Sequence, residues 1–341
     1  MVGPSLERSA FLNHSSHLSA SWRRALLTYG PLLVALVAEV IVFEWLGRRN
    51  DSPGFASTRT AIHVLNSCAV HGIMAVGMTF IILTGGIDLS VGSLAALCGV
   101  VCALVVRWGG TEQPWTWVML GWALAVMIGL CAGGLSGLLI NLFDIPPFIA
   151  TLALMSSLRG GASLLTGGRS VSPLPADYDW LGRHRVGDFV PVSVLVLLVV
   201  FLSGAMLLHY TRFGRHVRAI GGNEESARLS GVPIAWTKWR VYMLGGGLTA
   251  LSGLILSSRL GAGDPNVALG DELTVIAAVV VGGTSLSGGR GSITGTFVGL
   301  MVVSVLARGL NWIGMETFGQ QVILGVVILA AVLLDKLKGA Q

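Results

Sequence analysis

The chain has 341 residues, of which 53% are hydrophobic and only 11% charged, and its mean hydropathy is +0.77. Soluble domains carry roughly 25% charged residues, so this balance excludes an ordinary soluble fold and points to an integral membrane protein. The net charge of +5 is small and sits between apolar runs, which speaks to membrane topology and not to nucleic-acid binding.

The apolar runs lack two-residue alternation, so they predict helices and not a barrel. Residues 1–24 are polar and no signal-peptide pattern surrounds the first apolar run, so an uncleaved cytoplasmic tail over 1–30 is expected. Leu32 to Leu46 predicts a first span. It carries Glu44 near its end, within reach of the interface, and Glu39 deeper, where a carboxylate needs a partner. Ala61 to Leu83 is the second span. Its His63 and His71 lie about two turns apart, with too few partners for a metal site or proton relay, and read as polar packing residues.

Thr84-Gly85-Gly86-Ile87-Asp88-Leu89-Ser90-Val91-Gly92-Ser93 comes next, between two apolar runs. A carboxylate at the bilayer centre costs about 2.5–3.5 kcal/mol on insertion scales. Adjacent glycines loosen the backbone. The stretch therefore predicts a break, with Asp88 or Ser90 capping the next helix. Val91 to Val106 is a short third span, and Trp115, Trp117 and Trp122 form an interfacial aromatic cluster. Val118 to Leu142 is the fourth. Gly129, Gly133 and Gly137 run along it as a four-residue ladder that permits close helix approach. After a Pro-Pro turn comes Phe148 to Leu165, whose Arg159 must pair or snorkel. Residues 167–188 form a polar loop before a sixth span, Phe189 to His209. All four cysteines, Cys68, Cys98, Cys102 and Cys131, lie in apolar runs and read as small packing residues, without zinc or disulfide spacing.

Tyr210 to Arg240 is the longest basic stretch and reads as a loop, with six Lys and Arg. Val241 to Ser258 is the seventh span. Thr274 to Val281 is too short to cross a core of about 30 Å and reads as a half-helix or re-entrant element. It feeds a second break, Gly282-Gly283-Thr284-Ser285-Leu286-Ser287-Gly288-Gly289. Aligned on the double glycine, both breaks read Gly-Gly-x-x-Leu-Ser-x-Gly. Two interrupted apolar segments in matching places are a pointer to a transport pathway; two tight loops from a duplication are the alternative. Candidate pathway and gating residues are Gly85, Gly86, Asp88, Ser90, Gly282, Gly283, Ser285 and Ser287. Ile293 to Trp312 and Gln320 to Leu334 close a set of ten apolar elements, an all-α polytopic domain over 31–335. With both ends in the cytoplasm, including a tail over 336–341, the alternating loops put twelve Lys and Arg inside and eight outside. Arg48 and Arg49 dissent from that orientation.

Within the basic stretch Gly221-Gly222-Asn223 is a turn signal. Glu224-Glu225-Ser226-Ala227-Arg228-Leu229 then reads as a short helix, capped by Asn223, with acids in its first turn, and stopped by Gly231 and Pro233. It is a docking peg or an ordinary surface turn. Here a resemblance enters. Glu225-Ser226-Ala227-x-x-x-Gly231 resembles the Glu-Ala-Ala-x-x-x-Gly coupling motif of ABC importer permeases, with Ser in place of the first Ala. Met74-Ala75-Val76-Gly77-Met78-Thr79, Gly86 to Ser93, Phe148-Ile149-Ala150-Thr151-Leu152, Gly221 to Glu224, Arg228 to Val232 and Val281 to Gly289 together resemble the ribose-type branch of that group. That branch takes ribose, xylose, arabinose, galactose and related sugars. Pro53 to Thr58 is loosely similar to galactofuranose permeases.

The resemblance implies a cobalamin-importer-like fold and a pore of two permease subunits, a second copy or a paralogue. It implies an ATP-binding subunit docked on Asn223, Glu224, Glu225, Ala227, Arg228 and Gly231, and a periplasmic or lipid-anchored sugar-binding protein at the outer face. ATP and Mg then belong to the partner; no cofactor, metal or catalytic residue is expected in this chain. The sequence agrees, since it has no Gly-x-x-x-x-Gly-Lys-Ser/Thr loop. An ion-coupled secondary transporter, using Glu39, His71 and Asp88 as a path, is the alternative from another class. A membrane enzyme lacks any nucleophile-base-orienter set.

Overall fold

The computed structural model describes residues 29–49, 54–110, 113–187 and 190–339. The N-terminal tail with Arg8, Arg23 and Arg24, the lead-in residue Pro53, and the side chains of Lys336 and Lys338 lie outside the described residues.

Among the described residues, eight helices are long and apolar enough to cross a membrane. They are α1 (Tyr29–Arg49), α2 (Thr58–Leu83), α3 (Val91–Gly109), α4 (Pro114–Leu142), α5 (Pro147–Thr166), α7 (Val192–Tyr210), α10 (Ile234–Leu260) and α12 (Ile293–Trp312). Two further elements complete the predicted ten: the short α11 (Asp271–Val281), and α13 (Thr317–Gly339), whose apolar stretch is only Phe318–Leu333. At 11 residues α11 spans about half of a 30 Å core, as its sequence predicts.

The central helix is α2. Every residue from Gly72 to Leu83 is buried, because α7, α10, α11 and α12 pack around it. Against α10 lies α4, and the glycine ladder explains how closely. A Cβ at Gly129 would strike Gly246 O and the Ala250 side chain, one at Gly133 would strike Tyr242 O, and one at Gly137 would meet Trp239. The two backbones touch, which in lipid is a main source of helix association. Of α5 only Ala150, Thr151 and Ala162 are buried.

One end of the bundle is closed by the segment read as a polar loop. It contains a 3₁₀ turn (Ala176–Asp179), α6 (Trp180–Arg183) and a two-residue hairpin of β1 (Arg185–Val186) with β2 (Val190–Pro191). Ser258 Oγ donates to Tyr178 O at 2.7 Å and accepts from Gly182 N at 2.8 Å. Trp180 packs against both Trp115 and Trp122. The helix of the sixth span starts at Val192, after Pro191 ends the hairpin; Phe189, where the sequence places the start of that span, lies outside the described residues.

The opposite end is basic, and the sequence reading of a loop over 210–240 is corrected there. Arg212–Gly222 is a helix, α8, capped by Thr211, whose Oγ1 accepts from Gly214 N at 3.2 Å. It buries Gly214, Val217 and Ile220 and turns Arg212 and Arg215 outward. That three-residue spacing is the signal the basic residues masked. After α9 (Glu224–Leu229), α10 begins at Ile234, so Lys238 and Arg240 are helical.

Candidate functional site at the basic end

Both predicted breaks end a helix in the same way. At the end of α2, Gly85 N donates to Ile82 O and Gly86 N to Ile81 O, at 2.9 and 3.1 Å. At the end of α11, Gly283 N donates to Val280 O and Thr284 N to Val279 O, at 2.8 and 3.2 Å. These are Schellman stops, and the residue at the left-handed position is Gly85 (φ +79°) in one and Gly283 (φ +87°) in the other. Structurally, then, Gly85 matches Gly283 and Gly86 matches Thr284. The alignment on the double glycine is one residue out, because the helix stop fixes the register and the dipeptide does not.

The two breaks meet at α8. Gly289 N donates to Leu83 O at 3.0 Å, which satisfies a carbonyl left over at the end of α2. Gly221 lies against the same two atoms, and a Cβ there would collide with both. Gly288 and Gly289 in turn touch Gly221, Gly222 and Gly85 through backbone atoms. Gly221-Gly222 is therefore the last turn of a helix and not the predicted turn; three backbones meet at Gly221, which leaves no room there for a Cβ, whereas a Cβ on Gly222 would meet open space.

A cleft of about 290 Å³ opens beside this seam. Its lining joins Gly85 and Gly86 of the first break, Ser287 of the second and Glu224 of α9, with Lys238 and Tyr242 of α10 between them. The remaining candidates lie apart from the cleft lining. Asp88 and Ser90 are buried at 1% and 2% exposure. Ser90 is the cap residue by position but makes no side-chain cap bond. Instead Asp88 Oδ1 accepts from Ser90 N at 2.8 Å and from Ser90 Oγ at 2.6 Å. Gly282 presses against Gly295 and Thr296 of α12. Ser285 is buried and its N donates to Arg290 O at 2.9 Å.

The coupling candidates form the predicted capped helix. Asn223 Oδ1 accepts from Ser226 N at 2.7 Å, and Gly231 holds φ +78° in a further Schellman stop. Ala227 is buried against the body, while Glu225 and Leu229 face out, Leu229 at 82% exposure. Glu224 takes Lys238 Nζ at 2.6 Å, and Arg228 reaches Glu224 at 3.4 Å.

Lys238, Tyr242, Leu229 and Gly288-Gly289 were not among the sequence candidates. Lys238 and Tyr242 share a face through four-residue spacing, but a span boundary set at Val241 hid it.

The other ionisable residues are placed elsewhere. His71 Nε2 is 3.1 Å from Asp271 Oδ1. Arg159 finds carbonyls, with Nη1 donating to Pro265 O and Val267 O at 2.6 and 2.7 Å. Glu44 takes Arg48 Nε at 2.8 Å and Ala56 N at 2.9 Å. One oxygen of Glu39 is buried without a partner among the described residues. No hydrogen bond or ion pair among the described residues joins Glu39, His71 and Asp88, and no group of three or more metal-ligating side chains exists among them. Cys68, Cys98 and Cys102 are buried as expected of packing residues, whereas Cys131 is exposed on α4.

A family model described as the permease component of the branched-chain amino acid transport system matches residues 60–332. The chain is 41% identical to the ribose import permease protein of Escherichia coli (strain K12) over 309 residues, covering 90% of this chain and 93% of that one. It is 42% identical to the ribose import permease protein of Bacillus subtilis (strain 168), covering 91% and 93%. It is 34% identical to the xylose transport system permease protein of E. coli (strain K12), covering 89% and 90%. No solved structure matches. With its eight crossing-length helices and a match over four-fifths of its length, the chain belongs to this family of multi-pass membrane permeases, alongside the ribose and xylose permeases.

Proposed function

We propose that the chain is the pore-forming subunit of an ATP-driven importer of a monosaccharide, a ribose-like pentose or a related sugar. The observation that carries this reading is identity of 41–42% to ribose import permeases along nine-tenths of the chain. An ATP-binding subunit docks on α9, whose exposed Leu229 and Glu225 offer one apolar and one charged contact. ATP and Mg stay on that subunit. A periplasmic or lipid-anchored sugar-binding protein delivers substrate at the end closed by Tyr178 and α6. A second copy or a paralogue completes the pore within the lipid. The basic end and both termini lie in the cytoplasm, in keeping with the twelve-to-eight bias of Lys and Arg.

The mechanism rests on the seam of glycines. A displacement of α8 and α9 by the closing ATP-binding subunits presses on Leu83 O and Gly289 N together, through Gly221. Both breaks then move at once, which is what alternating access demands of a gate. Binding energy on α9 is converted into a choice between two packings of the pore helices.

The test is purification of the chain from native membrane in mild detergent, with its partners identified by mass spectrometry. Recovery of an ATP-binding subunit and a sugar-binding protein is expected. Leu229→Asp is expected to lose the ATP-binding subunit, and a bulky residue at Gly231 to abolish uptake while insertion is intact. Uptake that survives ATP depletion and collapses with the proton gradient would sink the reading in favour of ion coupling.

A further inference from the structure

We propose that Glu224, Lys238 and Tyr242 form a strut that carries movement of α9 to the first break, with Lys238 as its positioning residue. The proposal rests on α9 being the docking helix.

Four Lys or Arg ion pairs join residues only three or four apart in sequence: Arg48–Glu44, Arg183–Asp179, Arg228–Glu224 and Arg228–Glu225. Lys238–Glu224 differs. Among the described residues it is the one Lys or Arg ion pair whose partners lie more than four residues apart, 14 in all, and at 2.6 Å it is the shortest. Its lysine is four-fifths buried at the mouth of the cleft, where water screens the pair less than on an open surface. It therefore ties the first turn of α9 to the second turn of α10.

Tyr242 lies four residues beyond Lys238 and so on the same face of α10, one turn deeper. It is 1% exposed, and its hydroxyl has no hydrogen-bond partner among the described residues. That hydroxyl sits where a Cβ of Gly86 would be. Gly86 comes directly after the stop of α2, so the tyrosine is wedged into the first break. Between these points α10 cannot bend freely, because Tyr242 O and Gly246 press on the backbone of α4. A pull on Glu224 thus reaches Gly86 through one ion pair, one helical turn and one ring. The unpartnered hydroxyl favours leaving this position, since a buried donor without a partner is costly. Asp88, two residues beyond Gly86, is an acceptor on the same break.

The experiment uses the full chain in nanodiscs with its ATP-binding and sugar-binding subunits, in a Cys131→Ser background. A Leu89→Cys thiol reports the first break through its rate of maleimide labelling, nucleotide-free and after trapping with ATP and vanadate. The wild-type background is expected to show a large difference between the two states. Lys238→Met is expected to shrink that difference about ten-fold, a typical size for coupling between sites, while the ATP-binding subunit still co-purifies. The charge swap Glu224→Lys with Lys238→Glu is expected to restore most of it. A full nucleotide response in Lys238→Met, or no rescue by the swap, overturns the strut. If Leu229→Asp keeps the ATP-binding subunit, the docking reading fails instead. A wild-type break that ignores nucleotide overturns both.

Discussion

The two breaks begin alike and end differently. Each stops its helix with a left-handed glycine, Gly85 or Gly283, and the same pair of backbone hydrogen bonds. After the first, the chain turns on Asp88, whose carboxylate takes two bonds from Ser90, and leads into a crossing-length helix. After the second, it makes a tight turn in which Ser285 N donates to Arg290 O, and delivers Gly288-Gly289 onto α8. The first break is filled from within by a carboxylate and a tyrosine; the second is an arm that leans on its neighbour. A repeated helix stop thus supplies only an interruption, and the residues after the stop decide whether that interruption is a hinge or a contact.

The largest effect should come where the two breaks share a neighbour. Gly221→Val puts side-chain atoms into Leu83 O and Gly289 N, both backbone and unable to give way. Overpacking of that kind costs about 3 kcal/mol, a large fraction of a domain's stability. Thermal unfolding in detergent should fall steeply and uptake should vanish. Gly222→Ala, one residue on and with open space around it, should be almost neutral. Equal behaviour of the two variants would break the picture of one shared seam.

A second variant separates the breaks. Gly86→Ala strikes the Tyr242 hydroxyl, whereas its structural counterpart is Thr284, which already carries a side chain. The expected loss is about 2 kcal/mol. In the Tyr242→Phe background the offending atom is gone, so the loss should shrink by half or more. A double-mutant cycle without coupling would show that the tyrosine is not wedged against the first break.

The left-handed stops offer the sharper comparison. Gly85→Ala and Gly283→Ala meet no atoms within 4 Å, so their cost is conformational alone. Each should lose about 1 kcal/mol, the penalty of a Cβ in a left-handed residue. Near-equal losses would bear out the matching of Gly85 with Gly283. A neutral Gly283→Ala beside a costly Gly85→Ala would restore the alignment on the double glycine.

These sites were partly legible in the sequence, and the reasons are physical. Hydropathy marks the spans because lipid demands it, so the ten elements, the half-helix α11 and both interruptions are visible. The cap of α9 by Asn223 and its stop at Gly231 are local rules and survive folding. Charge density hid α8, whose apolar face is only Gly214, Val217 and Ile220. The partners that build the site are long-range: Leu83 with Gly289, Glu224 with Lys238, Gly86 with Tyr242. No periodicity announces such pairs, since each lies in a different element. His71 illustrates the same point, as its partner Asp271 stands 200 residues away.

The smallest effect belongs to the charge of Asp88. Its Oδ1 accepts both Ser90 bonds, and an asparagine can present an oxygen at the same place. Asp88→Asn should therefore change stability by only about 0.5 kcal/mol, because the hydrogen bonds are kept. Asp88→Ala leaves Ser90 N–H and Oγ without that acceptor and should cost about 1 kcal/mol. Uptake in the two variants then separates geometry from charge. If the first break needs only the turn, Asp88→Asn transports like the wild type and Asp88→Ala does not. If Asp88→Asn abolishes uptake while its unfolding midpoint is unchanged, the carboxylate is used in the transport cycle itself, a role for which the second break has no equivalent residue.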